Sequence, residues 1–445
     1  MKIILPMGIE YVLSTLKNNG YEGYIVGGCV RDFLMGQTPH DYDVTTNATP
    51  EQVKACFKQN KVIETGLKHG TVTVLVDGEN IEITTYRIDG DYKDNRHPDN
   101  VFFSTKIEDD VKRRDFTVNS IAYNPEKGFV DLFDGRGDIE AGIITCVGNA
   151  DERFNEDGLR ILRALRFASV LGFDISKETS DSIHRNKSLI NNVSAERILE
   201  EFKKLICGKK AHMIFEEYVD VIGVFIPEIL EMVGFEQNNP YHCYDVFKHT
   251  VAAVKNAPDN VIIRLAAFFH DVGKPRTYFA DENGIGHFYS HAKVSEKIAN
   301  DVLIRLKSDN FTREKVCMLV RYHDRQIEEN AKSVKRLLAK LSFEDVRLLL
   351  TLKRCDTLAQ TPEIHNKRCA YLDRIGSLVD EIENEGACLS LRTLNINGND
   401  LIALGIDEGK LIGEILNSAL KSVIDEKIPN NKNELLKFVE KFIKN

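Results

Sequence analysis

At 445 residues, 42% hydrophobic and 29% charged, the chain has the makeup of a soluble globular protein of two to four domains with ample core. Nine singly placed cysteines without a Cys-x-x-Cys pair argue against a disulfide framework or a cysteine zinc site, and no stretch approaches a membrane span or a signal-peptide core, so the expected location is cytoplasmic with no membrane partner. A net charge of −9 weighs against a nucleic-acid partner, yet basic residues gather at Lys112-Arg113-Arg114, at Arg153 to Arg166 and at Lys203 to Lys210, so a basic track is still available.

The first third reads as mixed α/β. Ile9, Val12, Leu13 and Leu16 recur at helical spacing, and Tyr24-Ile25-Val26 reads as a strand ended by Gly27-Gly28. Asp41-Tyr42-Asp43 reads as a short strand, whose alternation puts both carboxylates on one face. Two carboxylates aimed at one point repel unless a divalent cation lies between them, and a glycine pair lets backbone N–H groups approach a polyphosphate. The two features describe a site for Mg²⁺ and a nucleoside triphosphate, although a lone Asp-x-Asp is more often a turn or a solvated strand face.

Residues 71–76 and 81–86, split by Asp77-Gly78, have the signature of a hairpin. Glu82 lies between Ile81 and Ile83 and so points away from its apolar neighbours, where a third acid can accept the proton of an attacking hydroxyl or complete the metal shell. The polar run from Asp89 to Asn100 is expected to be a mobile loop. From about Asp151 the pattern is helical almost throughout.

Four motifs then occur in order: Gly27-Gly28-Cys29-Val30-Arg31-Asp32, His40-Asp41-Tyr42-Asp43, Arg113-Arg114-Asp115-Phe116-Thr117-Val118-Asn119 and Glu156-Asp157-Gly158-Leu159-Arg160. Over about Tyr21 to Cys207 the chain resembles the class II tRNA nucleotidyltransferases, the CCA-adding enzymes of the polymerase-β superfamily. The resemblance implies addition of C, C and A to tRNA 3′ ends from CTP and ATP without a nucleic-acid template. It implies that Gly28 and Arg31 contact the triphosphate, that Asp41 and Asp43 bind Mg²⁺, and that Arg114 and Asp115 lie at the ribose. Arg163 and Arg166 match family positions that contact the nucleotide. Where the family usually has Arg-Thr before Val-Gly, this chain has Thr145-Cys146, a departure in a motif linked to head and neck movement.

Asp157 and Arg160, three apart in a helical run, are expected to share one face. Cytosine and adenine each present a ring-nitrogen acceptor beside an amine donor, which an arginine and a carboxylate satisfy together; uracil and guanine present the reverse and leave charges unpaired. Alone, such a pair is more often a surface ion pair; within this motif order it reads as the base selector. Members of the family it resembles that stop after CC tend to lack the loop that this chain keeps from Asp89 to Asn100, which favours terminal A addition; a partial (A-adding or CC-adding) activity is the alternative.

His249, His270-Asp271 and Asp356 fit the spacing of an HD domain, a helical metal phosphohydrolase fold, with His291 and His323 as candidates for a second metal or a phosphate contact. Each histidine alone is more often structural; the ordered set points to a site that can take a transition metal. Such domains in CCA-adding enzymes are either phosphohydrolases or scaffolds, so an accessory activity, or an HD hydrolase with a nucleotide-sensing head, remains an alternative. The glycine turns near Asn397-Gly398 and Leu404-Gly405 resemble the family's tRNA-gripping tail. The expected fold class is α+β: a polymerase-β-like nucleotidyltransferase head (1–149), then a mostly all-α neck (150–240), an HD-domain body (241–360) and a helical tRNA-binding tail (361–445). The oligomeric state is not legible.

Overall fold

The computed structural model describes residues 3–67, 70–90, 101–238, 243–407 and 409–443. Positions 91–100 of the expected mobile loop lie outside the described residues, as does the expected boundary at Tyr241. The chain forms two compact units, Met1–Leu230 and Glu231–Asn445.

Among the described residues the first unit has eleven strands: β1 (Gly23–Val26), β2 (Asp43–Thr46), β3 (Lys61–Gly66), β4 (Thr71–Val76), β5 (Glu79–Thr85), β6 (Arg87–Asp89), β7 (Val101–Phe103), β8 (Ala122–Asn124), β9 (Gly128–Val130), β10 (Ile143–Ile144) and β11 (Asp174–Ile175). Seven of them form one sheet in the order β3-β4-β5-β2-β1-β8-β9. All its pairs are antiparallel except β2 with β5. The expected hairpin is present: Val76 pairs with Glu79, and both Asp77 (φ 51°) and Gly78 (φ 87°) take the left-handed conformation that a two-residue hairpin turn needs. β3 and β6 to β11 were not expected from the sequence.

The helix Met7–Asn18 buries Ile9, Val12, Leu13 and Leu16, the residues whose spacing announced it, in a core shared with Ile25, Val44, Val72, Val74 and Ile83. Alternate residues of β4 and β5 feed that core, which leaves Glu82 on the open side between buried Ile81 and Ile83. Short helices follow at Ile107–Lys112 and Gly135–Ala141, and the rest of the unit is chiefly helical (Ala150–Glu156, Leu159–Leu171, Lys177–Asn186 and Ala195–Ile206), apart from the short parallel pair of Ile143–Ile144 with Asp174–Ile175.

The second unit is almost wholly helical. Helices Val246–Asn256, Val261–Phe269, His291–Arg305, Asn310–Tyr322 and Phe343–Leu358 surround the histidines, and Pro362–Asn384 packs on Phe343–Leu358. A separate small core built on Ile396, Leu401, Ile406, Ile415, Ala419, Leu435 and Val439 closes the tail.

Candidate functional sites

The sheet register creates the acidic site. β2 begins at Asp43, so Asp41 and Tyr42 precede the strand and are not part of it, a correction to the expected Asp-Tyr-Asp strand. Asp43 is paired on one side with Val26, the last residue before the glycine turn, and on the other with Glu82. Burial pushes the Asp43 carboxyl up, Arg114 opposes this, and Asp41 adds to it. Glu82 is raised by burial and then by Asp43 and Asp41. The three acids therefore feel one another's charge, and an all-oxygen donor set of this kind suits a hard divalent cation.

Gly27 takes φ +79° between β1 and the helix Gly28–Leu34, a conformation open to glycine at little cost. A Cβ on Gly27 would lie 3.2 Å from Arg114 Nη1, and one on Gly28 3.6 Å from Arg31 Nη2, so this turn passes beneath two guanidinium groups. Arg31 Nη1 donates to Asn119 Oδ1 at 2.7 Å, and Asn119 Nδ2 donates to Asp115 Oδ1 at 3.4 Å. Asp115 Oδ2 in turn accepts from Arg163 Nε at 2.7 Å. Burial works to raise the Asp115 carboxyl, but Arg163 and Arg160 outweigh it and hold it down at about 2.

Asp157 and Arg160 are not on one helical turn. Asp157 is extended (φ −145°, ψ 108°) between helices Ala150–Glu156 and Leu159–Leu171, and its Oδ1 accepts from the Leu159 N–H at 3.0 Å. The break is at Asp157, since Gly158 is already helical (φ −57°, ψ −22°); glycine is needed at 158 because a Cβ there would lie 2.6 Å from the Leu189 carbonyl oxygen. Asp157 Oδ2 is held by Arg197 Nη2 at 2.8 Å, and Arg160 is paired with Glu156. Both nevertheless line a cavity of 280 Å³ with Arg113, Arg114, Asp115, Arg163 and Arg197.

Four contributors were not assigned a role from the sequence. Asp110, fully buried, holds Arg113 Nη2 at 2.6 Å and Arg114 Nη2 at 3.0 Å; its i,i+3 and i,i+4 spacing to the two arginines was the available signal. Asn119 links Arg31 to Asp115. Glu201 Oε2 lies 2.9 Å from Arg166 Nε, across a helix pair with no local cue. Phe167 is ringed by three guanidinium groups: Arg166 Cζ is 4.0 Å from its centroid, Arg163 5.3 Å and Arg31 5.4 Å.

In the second unit the structure gathers His249, His270, Asp271, His291, His323 and Asp356. Each of the four histidines turns Nδ1 to a backbone carbonyl: Ala359, Ala267, Phe288 and Val320, at 3.2, 2.7, 2.8 and 2.7 Å. A carbonyl beside each Nδ1 favours a proton there, which leaves the inward Nε2 lone pair for a cation to use. Asp271 stands between two pairs. Its Oδ2 is 3.4 Å from His249 Nε2 and 3.1 Å from His270 Nε2; its Oδ1 is 3.4 Å from His291 Nε2 and 3.6 Å from His323 Nε2. Asp356 Oδ1 reaches His249 Nε2 at 3.0 Å. Within each pair the Nε2 atoms face each other at 3.2 and 3.1 Å, so a cation at either cluster would replace acceptor–acceptor contact with ligation. Imidazole nitrogens with a shared carboxylate suit a transition metal. Among the described residues these are the tight three-ligand clusters; Asp41, Asp43 and Glu82 are spaced more openly.

The sheet, its register and the acidic strand ends define a nucleotidyltransferase head, and comparison with known proteins agrees. Residues 23–145 match the family model of the poly A polymerase head domain, 172–229 that of the probable RNA and SrmB-binding site of polymerase A, and 280–439 that of the putative tRNA nucleotidyltransferase domain 2. A CCA-adding enzyme of Ligilactobacillus salivarius is 31% identical over 451 residues, covering 97% of this chain and 95% of that protein. One from Lactobacillus delbrueckii subsp. bulgaricus is 47% identical over 208 residues, a stretch that spans about half of each protein, 47% of this chain and 52% of the relative. The Bacillus stearothermophilus CCA-adding enzyme in complex with CTP superposes with a TM-score of 0.75 at 26% identity, covering 99% of this chain and 98% of that one. The chain belongs to the CCA-adding enzyme family. Nucleotidyltransferases of this kind depend on a divalent metal ion. No helix among the described residues is long and apolar enough to cross a membrane.

Proposed function

We propose that this chain adds C, C and A to the 3′ end of tRNA from CTP and ATP, with Mg²⁺ as the cation and the cytoplasm as its compartment. The observation that carries the reading is the register of Asp43 against Glu82 beside the Gly27-Gly28 turn, joined through Arg114 to the cavity that Asp157 and Arg160 line. Asp41 and Asp43 would hold Mg²⁺, which supplies charge neutralisation at the triphosphate. Glu82, raised by burial and its acidic neighbours, accepts the proton of the tRNA 3′-hydroxyl as its oxygen bonds to the α-phosphorus and pyrophosphate leaves. Gly28 N–H and Arg31 bind the phosphates, and Arg114 and Asp115 the ribose. Asp157 accepts from the base amine and Arg160 donates to its ring nitrogen, while Arg163 and Arg166 keep the surrounding field positive. The helical tail holds the tRNA body.

The test is incorporation of labelled CTP and ATP into tRNA lacking its 3′ end, by the parent protein and by Asp41→Ala. C followed by A from the parent alone is expected. No incorporation by the parent overturns the reading; C without A makes the protein a CC-adding enzyme.

A second activity is favoured by one observation, the four inward Nε2 atoms that face both oxygens of Asp271. We infer a metal-dependent phosphohydrolase centre there, with His249, His270, Asp271 and Asp356 as one ligand group and His291 and His323 completing a second around the shared Asp271.

A further inference from the structure

The histidine centre opens on two cavities, of 310 and 570 Å³, that share His323, Asp324, Asp356 and Gln360. Ligand pockets span roughly 300–1,000 Å³. The walls of the two cavities differ in chemistry. In the smaller, Tyr289 is 71% exposed, and one face of its ring stacks on His287 at 5.5 Å between centroids with the planes 4° apart. A large ring held parallel to an imidazole at a cavity rim is a platform for another flat group.

The larger cavity carries the cations Lys353, Lys367, Arg368 and Arg374 in its wall, together with the acids Asp324, Glu329 and Asp356. Burial lowers the Lys353 ammonium to about 8, and its Nζ donates to the His323 carbonyl oxygen at 2.5 Å. Arg368 donates to Gln360 Oε1, and Gln360 Nε2 donates to Asp356 Oδ1 at 3.1 Å. A short hydrogen-bonded chain thus ties the cationic wall to the histidine centre.

We propose that this cleft binds a nucleoside bearing two phosphate groups. Its base lies on Tyr289, its reacting phosphate at the histidine centre and its second phosphate on Lys353, Lys367 and Arg368. This rests on the phosphohydrolase reading above. In the step itself a water oxygen bonds to phosphorus, the ester P–O bond breaks, and the water's proton passes to the leaving alkoxide. The same chemistry is met in a 3′-phosphorylated RNA end and in a free nucleoside bisphosphate.

The test uses the full chain. Binding of adenosine 3′,5′-bisphosphate to the Ca²⁺-loaded protein is measured by calorimetry, with saturating CTP present to fill the first unit. Tyr289→Ala and Lys367→Ala, both at exposed positions, are expected to weaken it at least fivefold each; unchanged binding overturns the cleft. With Mn²⁺ added, phosphate release is followed from p-nitrophenyl phosphate, adenosine 3′,5′-bisphosphate and a dinucleotide 3′-phosphate. The two substitutions are expected to lower kcat/KM for the nucleotides at least tenfold more than for p-nitrophenyl phosphate; an equal loss overturns the assignment. The better nucleotide identifies the source, RNA end or free bisphosphate. No release from any substrate sinks the phosphohydrolase reading, and the binding result still decides the cleft.

Discussion

Asp43 and Glu82 are direct partners across the parallel pair β2–β5, so the sheet itself forces two carboxylates side by side, with Asp41 close enough to raise both. Each has a folded pKa above its ordinary value. A group raised in this way gives its full stability below the unfolded pKa and loses it as pH rises through the folded one. At neutral pH both carboxylates therefore cost the metal-free protein stability. Asp43→Asn is expected to raise the melting temperature of the metal-free protein by roughly 2 °C, the shift of a sub-kcal/mol gain in a domain of this size. The same substitution should cost on the order of 10³ in nucleotide incorporation. Calorimetric scans without metal check the first, and single-turnover incorporation the second; a lower melting temperature would show that the acids are not in repulsion.

The same two shifts set the acid limb of activity. As pH falls, Glu82 and Asp43 take up protons above the ordinary carboxylate range of about 4, which on the roles proposed above would remove the proton acceptor and a cation ligand. Asp115, held down at about 2 against burial by Arg163 and Arg160, stays ionised throughout and adds nothing to that limb. The limb of kcat/KM is expected above the ordinary glutamate value, and to move to lower pH as Mg²⁺ is raised, because cation and proton compete for the same oxygens. A limb that ignores Mg²⁺ would separate these acids from the pH dependence.

Arg197 holds Asp157 by a 2.8 Å hydrogen bond from outside the helix that carries Arg160. An Arg197→Met change keeps much of the apolar stem and frees the carboxylate to swing. Discrimination of CTP against UTP is expected to fall by about one order of magnitude, the size of a lost charge-assisted hydrogen bond, with the rate on CTP less affected. Competition between labelled CTP and UTP on the same tRNA reads this directly.

How far these relationships were legible in the sequence follows their range along the chain. Period-two and period-3.6 patterns identified β4, β5, the Met7–Asn18 helix and the outward-facing Glu82, because each is fixed by local burial. The expectation that Asp157 and Arg160 share a helical face failed at Asp157, which is extended and caps the following helix through the Leu159 N–H; its hold by Arg197, forty residues on, leaves no trace in the periodicity. The histidine cluster was found by residue type and order, yet the position of Asp271 between two histidine pairs needed the packing of five helices. Glu201 and Phe167 gave no signal at all, since a glutamate and a phenylalanine in helices read as surface and core.

Phe167 offers the sharpest check on the arginine array. Three like charges crowd one ring: burial lowers the Arg166 pKa, Glu201 opposes this, and Arg163 and Arg31 depress it further. The ring's negative faces offset that repulsion, and its edge is anchored on Phe116, 5.8 Å away at 77°. On the nucleotide contacts proposed above, Phe167 would be a positioning residue, acting on the triphosphate through the guanidinium groups. Phe167→Leu keeps an apolar side chain but removes the quadrupole, worth about 1 kcal/mol at a partly buried site, so KM for both CTP and ATP is expected to rise about fivefold with kcat changed less. Phe167→Tyr retains the ring and should restore KM. Equal loss of kcat and melting temperature in both variants would reduce Phe167 to core packing.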